Sequence, residues 1–315
     1  MSFILVIAVT IVIFATLTVA LNLVVGYAGQ PNLAQSAFFG IGAYFAAVMS
    51  TRYHLTFWWT IPIALGVSGT AGFVLGAISL RLREDFLAIT TIGLNFVVVA
   101  VFQYVPFFGG AVGIYAIPLP AIGAHTFGNV DFLVAGVAML AFTVGTSAWL
   151  ERSWIGGCLV AIRDDENAAS SVGIPVATYK VIAFTLSAAL AGMAGSLYAP
   201  FMSAVTPTTF GFTESVVILA MLIFGGVGKI RGALLGALIL GALPEVFRFI
   251  SNFRLLTFGA ILLLMLRFQP QGLAGDESAA SNLMAGIMRA FTGSRPSGPG
   301  SGRGGDERSG GHGPT

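Results

Sequence analysis

Long apolar runs separated by short polar segments constrain the fold of this chain more than any other feature. Nine runs approach the roughly 20 residues that a helix needs to cross a bilayer, and the seventh is short enough to be re-entrant or broken. In chain order, these predicted spans are Ser2–Val25, Leu33–Ser50, Trp58–Leu80, Phe86–Val105, Phe132–Leu150, Lys180–Ala199, Ser215–Gly228, Gly232–Phe249 and Leu255–Phe268. Lipid offers no partner to an open backbone, and the runs lack the alternation of barrel strands, so each is predicted to be helical. The predicted fold class is an all-α polytopic membrane protein, a bundle of about eight or nine transmembrane helices.

The balance of charged and apolar residues supports a membrane location. Hydrophobic residues make up 56% of the 315-residue chain and charged residues only 9%, against about 25% charged residues in a soluble domain. So few charges could not cover a water-facing surface, and we expect the chain to be surrounded by membrane lipid. The net charge is +2 and no basic run is interleaved with aromatic residues, so nucleic acid is not an expected partner. The first run has no basic start and exceeds a signal-peptide core, which predicts a retained helix.

Lys and Arg are concentrated in alternate loops. The basic residues of three predicted loops are Arg81 and Arg83, then Arg152, Arg163 and Lys180, then Lys229 and Arg231. The segments Pro106–Asp131 and Pro200–Thr213 contain neither Lys nor Arg, while Arg52 and Arg254 are exceptions to the pattern. Because basic loops stay in the cytoplasm, we expect a multi-pass protein of the plasma (bacterial inner) membrane. The N-terminus is predicted outside and the C-terminus in the cytoplasm.

The composition changes near residue 268, which suggests two parts. Residues 1–268 form the predicted transmembrane domain, and residues 269–315 form a polar tail. Beyond Thr292 the tail reads GSRPSGPGSGRGGDERSGGHGPT, which has almost no apolar residues and cannot form a core. We therefore expect a cytoplasmic and largely disordered tail.

No group of side chains has the spacing of a catalytic or metal site. The three histidines are scattered over loops and the tail, and the single Cys158 has no partner for a disulfide. The segment Gly225–Lys229 resembles a phosphate loop only loosely, because Ile223 and Ile230 replace the first Gly and the final hydroxyl residue of that motif. We expect no catalytic residue, no metal and no cofactor. Any ATP hydrolysis must then belong to another chain.

A polar break separates the first two apolar runs. The segment Gly26–Asn32 contains Gly and Pro, and such a break is tolerated at membrane depth where it lines a cavity. Asn22, near the end of the first run, is one of the few polar residues inside a predicted span. Asn22, Gln30 and Asn32 are therefore candidate residues of a translocation path. A surface turn, with an interhelical hydrogen bond for Asn22, explains the same pattern equally well.

Glycines recur within the third apolar run. Gly66, Gly69, Gly72 and Gly76 follow one another at three- and four-residue spacing. On a helix these positions share a face, and small residues there let two helix backbones approach closely. The pattern predicts a tightly packed bundle.

The longest predicted cytoplasmic loop, Glu151–Tyr179, contains a further helix signal. Asp164, Asp165 and Glu166 suit the first turn of a short helix electrostatically, and Gly173 is placed to end it. A compact helix in this loop is suited to transmit force from a soluble partner.

Several ordered motifs resemble the permease subunits of branched-chain amino-acid ABC importers, and the likeness covers nearly all of the chain from Leu21 to Arg267. The motifs are LNLVVGYAGQPNLAQSAFFGIGAYFAA, REDFLAITTIGL, GGAVGI, GGCLVAIRDDENAASSVGIPVATYKVIAFTLSAALAGMAGSLYA, FGGVGKIRGALLGA and LPE. Together, in this order and at this spacing, they are far more specific than any one alone.

The resemblance implies a path for branched-chain amino acids, driven by ATP hydrolysis on separate chains. It also implies a second permease subunit, two ATP-binding cassette subunits and an extracytoplasmic solute-binding protein. Residues 151–179 would then be the coupling loop. Carried over residue by residue, its residues that would dock on the ATPase are Arg163, Asp164, Asp165, Glu166, Ala168, Ala169 and Gly173.

Two departures and two rival functions accompany this resemblance. Val112 stands where the family often has an acidic or amide residue, and Asn167 rather than Glu precedes Ala168 and Ala169. A urea or short-chain amide importer permease would share these motifs. An ion-coupled secondary transporter would need carboxylates near the membrane centre and an inverted repeat, and the sequence shows neither clearly.

Overall fold

Helices make up most of the structure. The computed structural model describes residues 2–79, 84–122 and 125–246. The α-helices of these residues are α1 (Ser2–Asn22), α2 (Gln35–Arg52), α3 (Phe57–Ser79), α4 (Glu84–Tyr104), α5 (Asn129–Arg152), α6 (Trp154–Asp164), α7 (Glu166–Ser171), α8 (Val176–Met202), α9 (Phe212–Gly225) and α10 (Ile230–Val246). A π-helical turn, Leu23–Tyr27, extends α1 without a gap.

Six helical segments within the described residues are long and apolar enough to cross a membrane, which agrees with an all-α polytopic fold. They are Phe3–Tyr27, Phe57–Ile78, Phe86–Tyr104, Asn129–Arg152, Val176–Met202 and Pro207–Gly225, and each overlaps a predicted span. The sixth consists of α9, which has only 14 residues, and a preceding 3₁₀ turn. The predicted second span corresponds to the less apolar α2, and the eighth corresponds to α10. The span Leu255–Phe268, the end of the eighth span and the tail 269–315 lie outside the described residues.

The centre of the bundle is α8. About 72% of its most apolar 18-residue stretch is buried, and α8 packs against α1, α2, α3 and α5. In α4, by contrast, only 22% of the corresponding stretch is buried, and the side chains of Phe96 and Val97 are exposed. Apolar side chains that stay exposed on a spanning helix suit a lipid environment.

The glycines of α3 mediate its contact with α8. A Cβ at Gly72 would lie 2.6 Å from the carbonyl oxygen of Phe184, and one at Gly76 would lie 2.9 Å from Val181 Cα. Gly66, nearer the start of α3, faces open space. The predicted glycine face therefore does pack against a neighbouring helix, except at its first position.

The two ends of the bundle differ in their structure and in their charge. The loop 151–179, the end of α1 and the turn between α9 and α10 meet at one end, called the loop end below. The opposite end carries short antiparallel strands, in which β1 (Ile114–Tyr115) pairs with β4 (Ala204–Val205) and β2 (Ala121–Ile122) pairs with β3 (His125–Thr126). Arg52, an exception in the charge pattern, also lies at this opposite end. Its guanidinium carbon is 5.0 Å from the centre of the Phe107 ring, and this cation–π contact explains how the charge is accommodated.

Helix α2 begins inside the bundle rather than at its end. Gln35 Nε2 donates a hydrogen bond to the carbonyl oxygen of Leu17 at 3.3 Å, and Ser187 Oγ donates to Gln35 Oε1 at 3.3 Å. Leu17 and Ser187 lie well within α1 and α8. Residues 28–34 therefore run back from the loop end into the bundle interior before α2 starts.

Replacing Gly72 by Ala is expected to destabilise the bundle by about 1–3 kcal/mol, because the added methyl group must displace α8. Gly66→Ala adds its methyl group to open space on the same helix and is expected to be neutral or slightly stabilising. Thermal unfolding of the two variants in the same detergent measures the difference. Equal unfolding temperatures would contradict the packing of α3 on α8.

Candidate functional site

The candidate site is built around the break that follows α1. The π-helical turn Leu23–Tyr27 ends the first span, and Gly29, at a φ of 67°, helps to turn the chain back. The backbone N–H of Gln30 donates to the carbonyl oxygen of Val24 at 3.1 Å. In an α-helix the same N–H would bond to Gly26, four residues earlier. The Gly26 carbonyl oxygen is therefore released from the helix and available to another donor.

The loop between α5 and α8 supplies two hydrogen bonds to this break. Arg163 Nη1 donates to the carbonyl oxygen of Gly26 at 3.0 Å, and Asp164 Oδ1 accepts from Arg163 Nη2 at 3.3 Å. At the start of the loop, the Tyr27 hydroxyl donates to Glu151 Oε2 at 3.1 Å. These contacts join positions that are 137 and 124 residues apart in the chain. The end of α5 and the end of α6 are thus both hydrogen-bonded to the break.

The turn between α9 and α10 supplies a third hydrogen bond. The backbone N–H of Gly228 donates to Asn22 Oδ1 at 2.8 Å, and Asn22 is fully buried. Gly226 and Gly228 both have positive φ, 117° and 85°, which favours glycine. The segment Gly225–Lys229, which resembles a phosphate loop, thus serves as a structural turn against the end of α1. The sequence leaves two interpretations of Asn22 open, a path residue or a residue that bonds to a neighbouring helix. The structure shows a hydrogen bond from the neighbouring α9–α10 turn.

Beyond the break, the chain places polar side chains inside the bundle. Gln30 is 2% exposed and Asn32 is 1% exposed, which excludes a solvent-exposed surface turn. Asn32 Oδ1 accepts from the backbone N–H of Ala34 at 2.9 Å, and Asn32 Nδ2 donates to Gln35 Oε1 at 3.3 Å. The candidate path residues therefore continue into the polar interior at the start of α2.

A second buried polar cluster joins α2, α4 and α9. The Ser36 and Ser215 hydroxyl oxygens are 2.7 Å apart, and Asn95 Nδ2 donates to Ser36 Oγ at 2.6 Å. The backbone N–H of Ser36 also donates to Ser215 Oγ at 3.0 Å. All three residues are fully buried, so their hydrogen bonds must come from one another and from nearby backbone, as Ser36 Oγ also donates to the carbonyl oxygen of Phe210 at 3.1 Å. The first turns of α2 and α9 meet at this cluster.

The short helix predicted in the loop is present as α7. Asp165 caps its N-terminus, since Asp165 Oδ1 accepts from the backbone N–H groups of Asn167 and Ala168 at 2.8 Å and 2.9 Å. Gly173, with a φ of 87°, follows its last turn and provides the left-handed residue that commonly ends a helix. Of the three acidic residues predicted for the first turn, only Glu166 lies in it, because Asp165 is the cap and Asp164 is the last residue of α6.

An ion pair attaches α7 to the start of α8. Lys180 Nζ lies 2.6 Å from Glu166 Oε2, and the Lys180 side chain is only 5% exposed. A lysine buried to this extent depends on its carboxylate partner, because an unpaired charge there would be costly. Glu166 is therefore partly engaged within the chain.

The other predicted loop residues divide into an exposed and a buried group. Asp164, Asp165, Ala168 and Gly173 are exposed at the loop end, whereas Ala169 is 4% exposed. The exposed residues are available to a partner protein. Ala169 contributes by packing α7 against the bundle.

An open groove of about 500 Å³ lies beside α7. Its lining residues are Arg152, Ser153, Trp154, Gly157, Cys158 and Ile174. Trp154 is 81% exposed at this groove, and Val172 on the far side of α7 is 77% exposed. Exposed large apolar side chains next to a groove at a polar end of the bundle are typical of a protein-binding surface.

Comparison with known proteins assigns the chain to a family. The family model described as "Branched-chain amino acid transport system / permease component" matches residues 3–266. The chain belongs to this family. The high-affinity branched-chain amino acid transport system permease protein LivM of Salmonella typhimurium is 35% identical to the permease over 292 residues, which cover 85% of the chain and 69% of the relative. LivM of Escherichia coli K12 matches to the same extent.

The permease is also similar to LivH proteins. The probable branched-chain amino acid transport permease protein LivH of Methanocaldococcus jannaschii is 27% identical over 253 residues, which cover 73% of the permease and 76% of the relative. No solved structure has significant similarity to the permease. The resemblance found in the sequence is thus confirmed, and the permease is a multi-pass membrane protein whose relatives are transport permease subunits.

The structure brings only some of the predicted site residues together. Arg163 and Asn22 both bond to backbone groups around the break, while Ala168 and Gly173 face outward on and after α7. Gln30 lies inside the bundle, away from that surface. The docking role of the loop residues and the path role of Asn22, Gln30 and Asn32 stay predictions.

Sequence reasoning missed several residues that hold the site. Glu151 and Gly228 bond to the break across long stretches of chain, and no local pattern marks either residue as a partner. Ser36, Asn95 and Ser215 carried a usable signal, because a polar side chain inside an apolar run needs a hydrogen-bond partner there.

Replacing Ser36 by Ala is expected to cost about 1–3 kcal/mol of stability, because Asn95 Nδ2 and Ser215 Oγ each lose a buried partner. Ser170→Ala, on the exposed face of α7, should change stability by no more than about 0.5 kcal/mol. Denaturant unfolding of the detergent-solubilised permease compares the two. A Ser36→Ala variant as stable as Ser170→Ala would show that the cluster contributes nothing.

Proposed function

We propose that the permease forms the translocation path of an ATP-driven importer for branched-chain amino acids. The observation that carries this proposal is the family match over residues 3–266, together with 35% identity to two LivM proteins of branched-chain amino acid transport systems. The chain has only an incomplete likeness to a phosphate loop, so separate subunits hydrolyse the ATP.

The proposed assembly contains a second permease, two ATP-binding cassette subunits and an extracytoplasmic solute-binding protein. Similarity to both LivM and LivH proteins supports a pair of related permeases that face each other. The permease itself contributes no cofactor chemistry.

The loop end is the proposed docking surface for the ATPase. The exposed residues Asp164, Asp165, Ala168 and Gly173 would meet the partner, and Trp154 would border a groove that receives a partner side chain. The ion pair between Glu166 and Lys180 and the burial of Ala169 would keep α7 rigid under load.

The proposed path passes the break and the polar residues beyond it. Asn22, Gln30 and Asn32 offer amide donors and acceptors at a depth where lipid offers none. Such groups suit the charged amino and carboxylate groups of an amino acid, which must exchange water for protein partners while crossing.

The loop end faces the cytoplasm in this proposal, with the N-terminus outside and the C-terminus inside. The support is the concentration of Arg and Lys at that end and the lack of both between Pro106 and Asp131. An ATPase is available only on the cytoplasmic side, so the docking proposal requires the same orientation.

Labelling of single cysteines tests the orientation. The chain has one cysteine, so a Cys158→Ser background allows a cysteine at Tyr115 or at Val172, which lie at opposite ends and are 55% and 77% exposed. A membrane-impermeant maleimide is expected to label Tyr115→Cys in intact spheroplasts and Val172→Cys only after permeabilisation. The reverse pattern would overturn the orientation.

Affinity purification from gently solubilised membranes tests the assembly. The tagged permease should bring with it a second hydrophobic permease and ATP-binding cassette subunits. Ala168→Trp places a large side chain on the exposed face of α7 and should reduce ATPase recovery at least about tenfold, as loss of a central interface contact does. Val112→Trp, on an exposed position at the opposite end, should leave ATPase recovery unchanged.

Two outcomes of this purification would count against the proposal. Recovery of the tagged chain alone would contradict the ABC assembly. Normal ATPase recovery with Ala168→Trp would instead show that α7 is not the docking surface, and it would leave the assembly itself supported.

A secondary transporter is the second candidate, and one observation favours it. Glu214 lies in the first turn of α9, next to the buried Ser215, so one of the six membrane-spanning segments among the described residues contains a carboxylate. Ion-coupled carriers use such groups. Uptake that stops when the proton gradient collapses, while ATP persists, would favour this carrier.

A further inference from the structure

The carbonyl oxygen of Gly26 needs a partner from outside its own helix. The Gln30 N–H donates to the carbonyl oxygen of Val24. The Gly26 carbonyl oxygen therefore lacks the donor that it would have in an α-helix. A buried carbonyl without a donor is costly, and lipid supplies none. The Arg163 guanidinium fills this need at 3.0 Å. The shape of the break and the position of Arg163 therefore depend on each other.

A second contact fixes the Arg163 side chain against the same break. At Gly29, a Cβ would lie 2.6 Å from Arg163 Cγ, so the backbone there approaches the arginine stem as closely as a glycine allows. Asp164 accepts from the guanidinium Nε and Nη2, both at 3.3 Å, and orients it. The stem and the head of Arg163 thus both follow the backbone of residues 26–29.

The break leads directly to the polar interior. Asn32 lies three residues after Gly29 and bonds to Gln35, which in turn bonds to the carbonyl oxygen of Leu17 in the middle of the bundle. A displacement of residues 26–29 would therefore move the buried amide groups at the start of α2. Arg163 lies in α6, one residue from the cap of α7, so the same arginine also follows any movement of the loop.

We propose that Arg163 is the positioning residue through which movement of the loop is transmitted to the helix break, by way of its hydrogen bond to the Gly26 carbonyl oxygen. The proposal rests on the proposed ATP-driven transport and gives Arg163 a role within the permease in addition to any contact with the ATPase. The π-helical turn is the element that responds, since such turns are frequent at functional sites. Without the bond, the loop would move while the break stays behind.

Hydrogen exchange tests the bond without any need for transport. In the purified complex, Arg163→Gln is expected to speed amide exchange in residues 23–30 by about tenfold, the change expected from loss of one charged hydrogen bond. Arg231→Gln is the matched control, because Arg231 is also an exposed arginine close to the loop end. Arg163→Lys keeps one charged donor and should give an intermediate rate.

Uptake of radiolabelled leucine and ATP hydrolysis by the same complexes test the transmission. Arg163→Gln should lower leucine taken up per ATP hydrolysed by about tenfold, while ATPase subunits still copurify and Arg231→Gln behaves like the wild type.

Faster exchange with unchanged uptake would overturn the proposal, since the bond would then transmit nothing. Reduced uptake with unchanged exchange would also overturn it, because Arg163 would act elsewhere, for instance in docking. Failure of the wild-type complex to take up leucine with ATP would reject the proposed function instead, and the exchange result would still decide whether the bond holds the break.

Discussion

Hydrogen bonding of the backbone at the break after α1 is the constraint on which the loop end depends. Gly26 is buried, so its released carbonyl oxygen needs a donor from another part of the protein. The Gly26 carbonyl is released by the π-helical turn, and Arg163 satisfies it from 137 residues away. At the same place the backbone N–H of Gly228 donates to Asn22 Oδ1. Hydrogen bonds to the end of α1 thus hold the loop, the break and the α9–α10 turn together.

The same constraint shapes the interior of the bundle. Helix α2 begins inside it, and the side chains of its first turn are buried. Ser36, Ser215 and Asn95 supply hydrogen bonds to one another and to the backbone there. A polar interior of this kind can bind a small charged solute only if its groups exchange partners, which requires movement of the elements that carry them. The break lies between the loop and the start of α2, so a movement of the loop can reach these groups through it.

The sequence predicts those parts of the structure that local patterns encode. Apolar runs of sufficient length give the spans, and all six membrane-crossing segments among the described residues overlap predicted ones. Asp165 and Gly173 mark the ends of α7 because capping acts over a few residues. The glycine spacing of α3 predicts a close helix contact for the same reason, and Gly72 makes it.

The remainder depends on pairings between distant segments, and a single sequence does not encode which segments meet. The family resemblance places Arg163 on a docking surface, and nothing in the sequence indicates its bond to Gly26. The depth at which α2 begins was also missed, because hydropathy registers the apolar run but not the partner of Gln35. The segment around Gly228 resembles a phosphate loop only loosely, and its role as a turn against Asn22 appears only in three dimensions.

The central claim is that movement of the loop by an ATPase drives solute through this permease. The most direct measurement is leucine uptake into proteoliposomes that contain the complete complex and its binding protein, with ion gradients collapsed by ionophores. The account predicts uptake with ATP and none with a non-hydrolysable analogue. Uptake by this chain alone, driven by an ion gradient and indifferent to ATP, would contradict it.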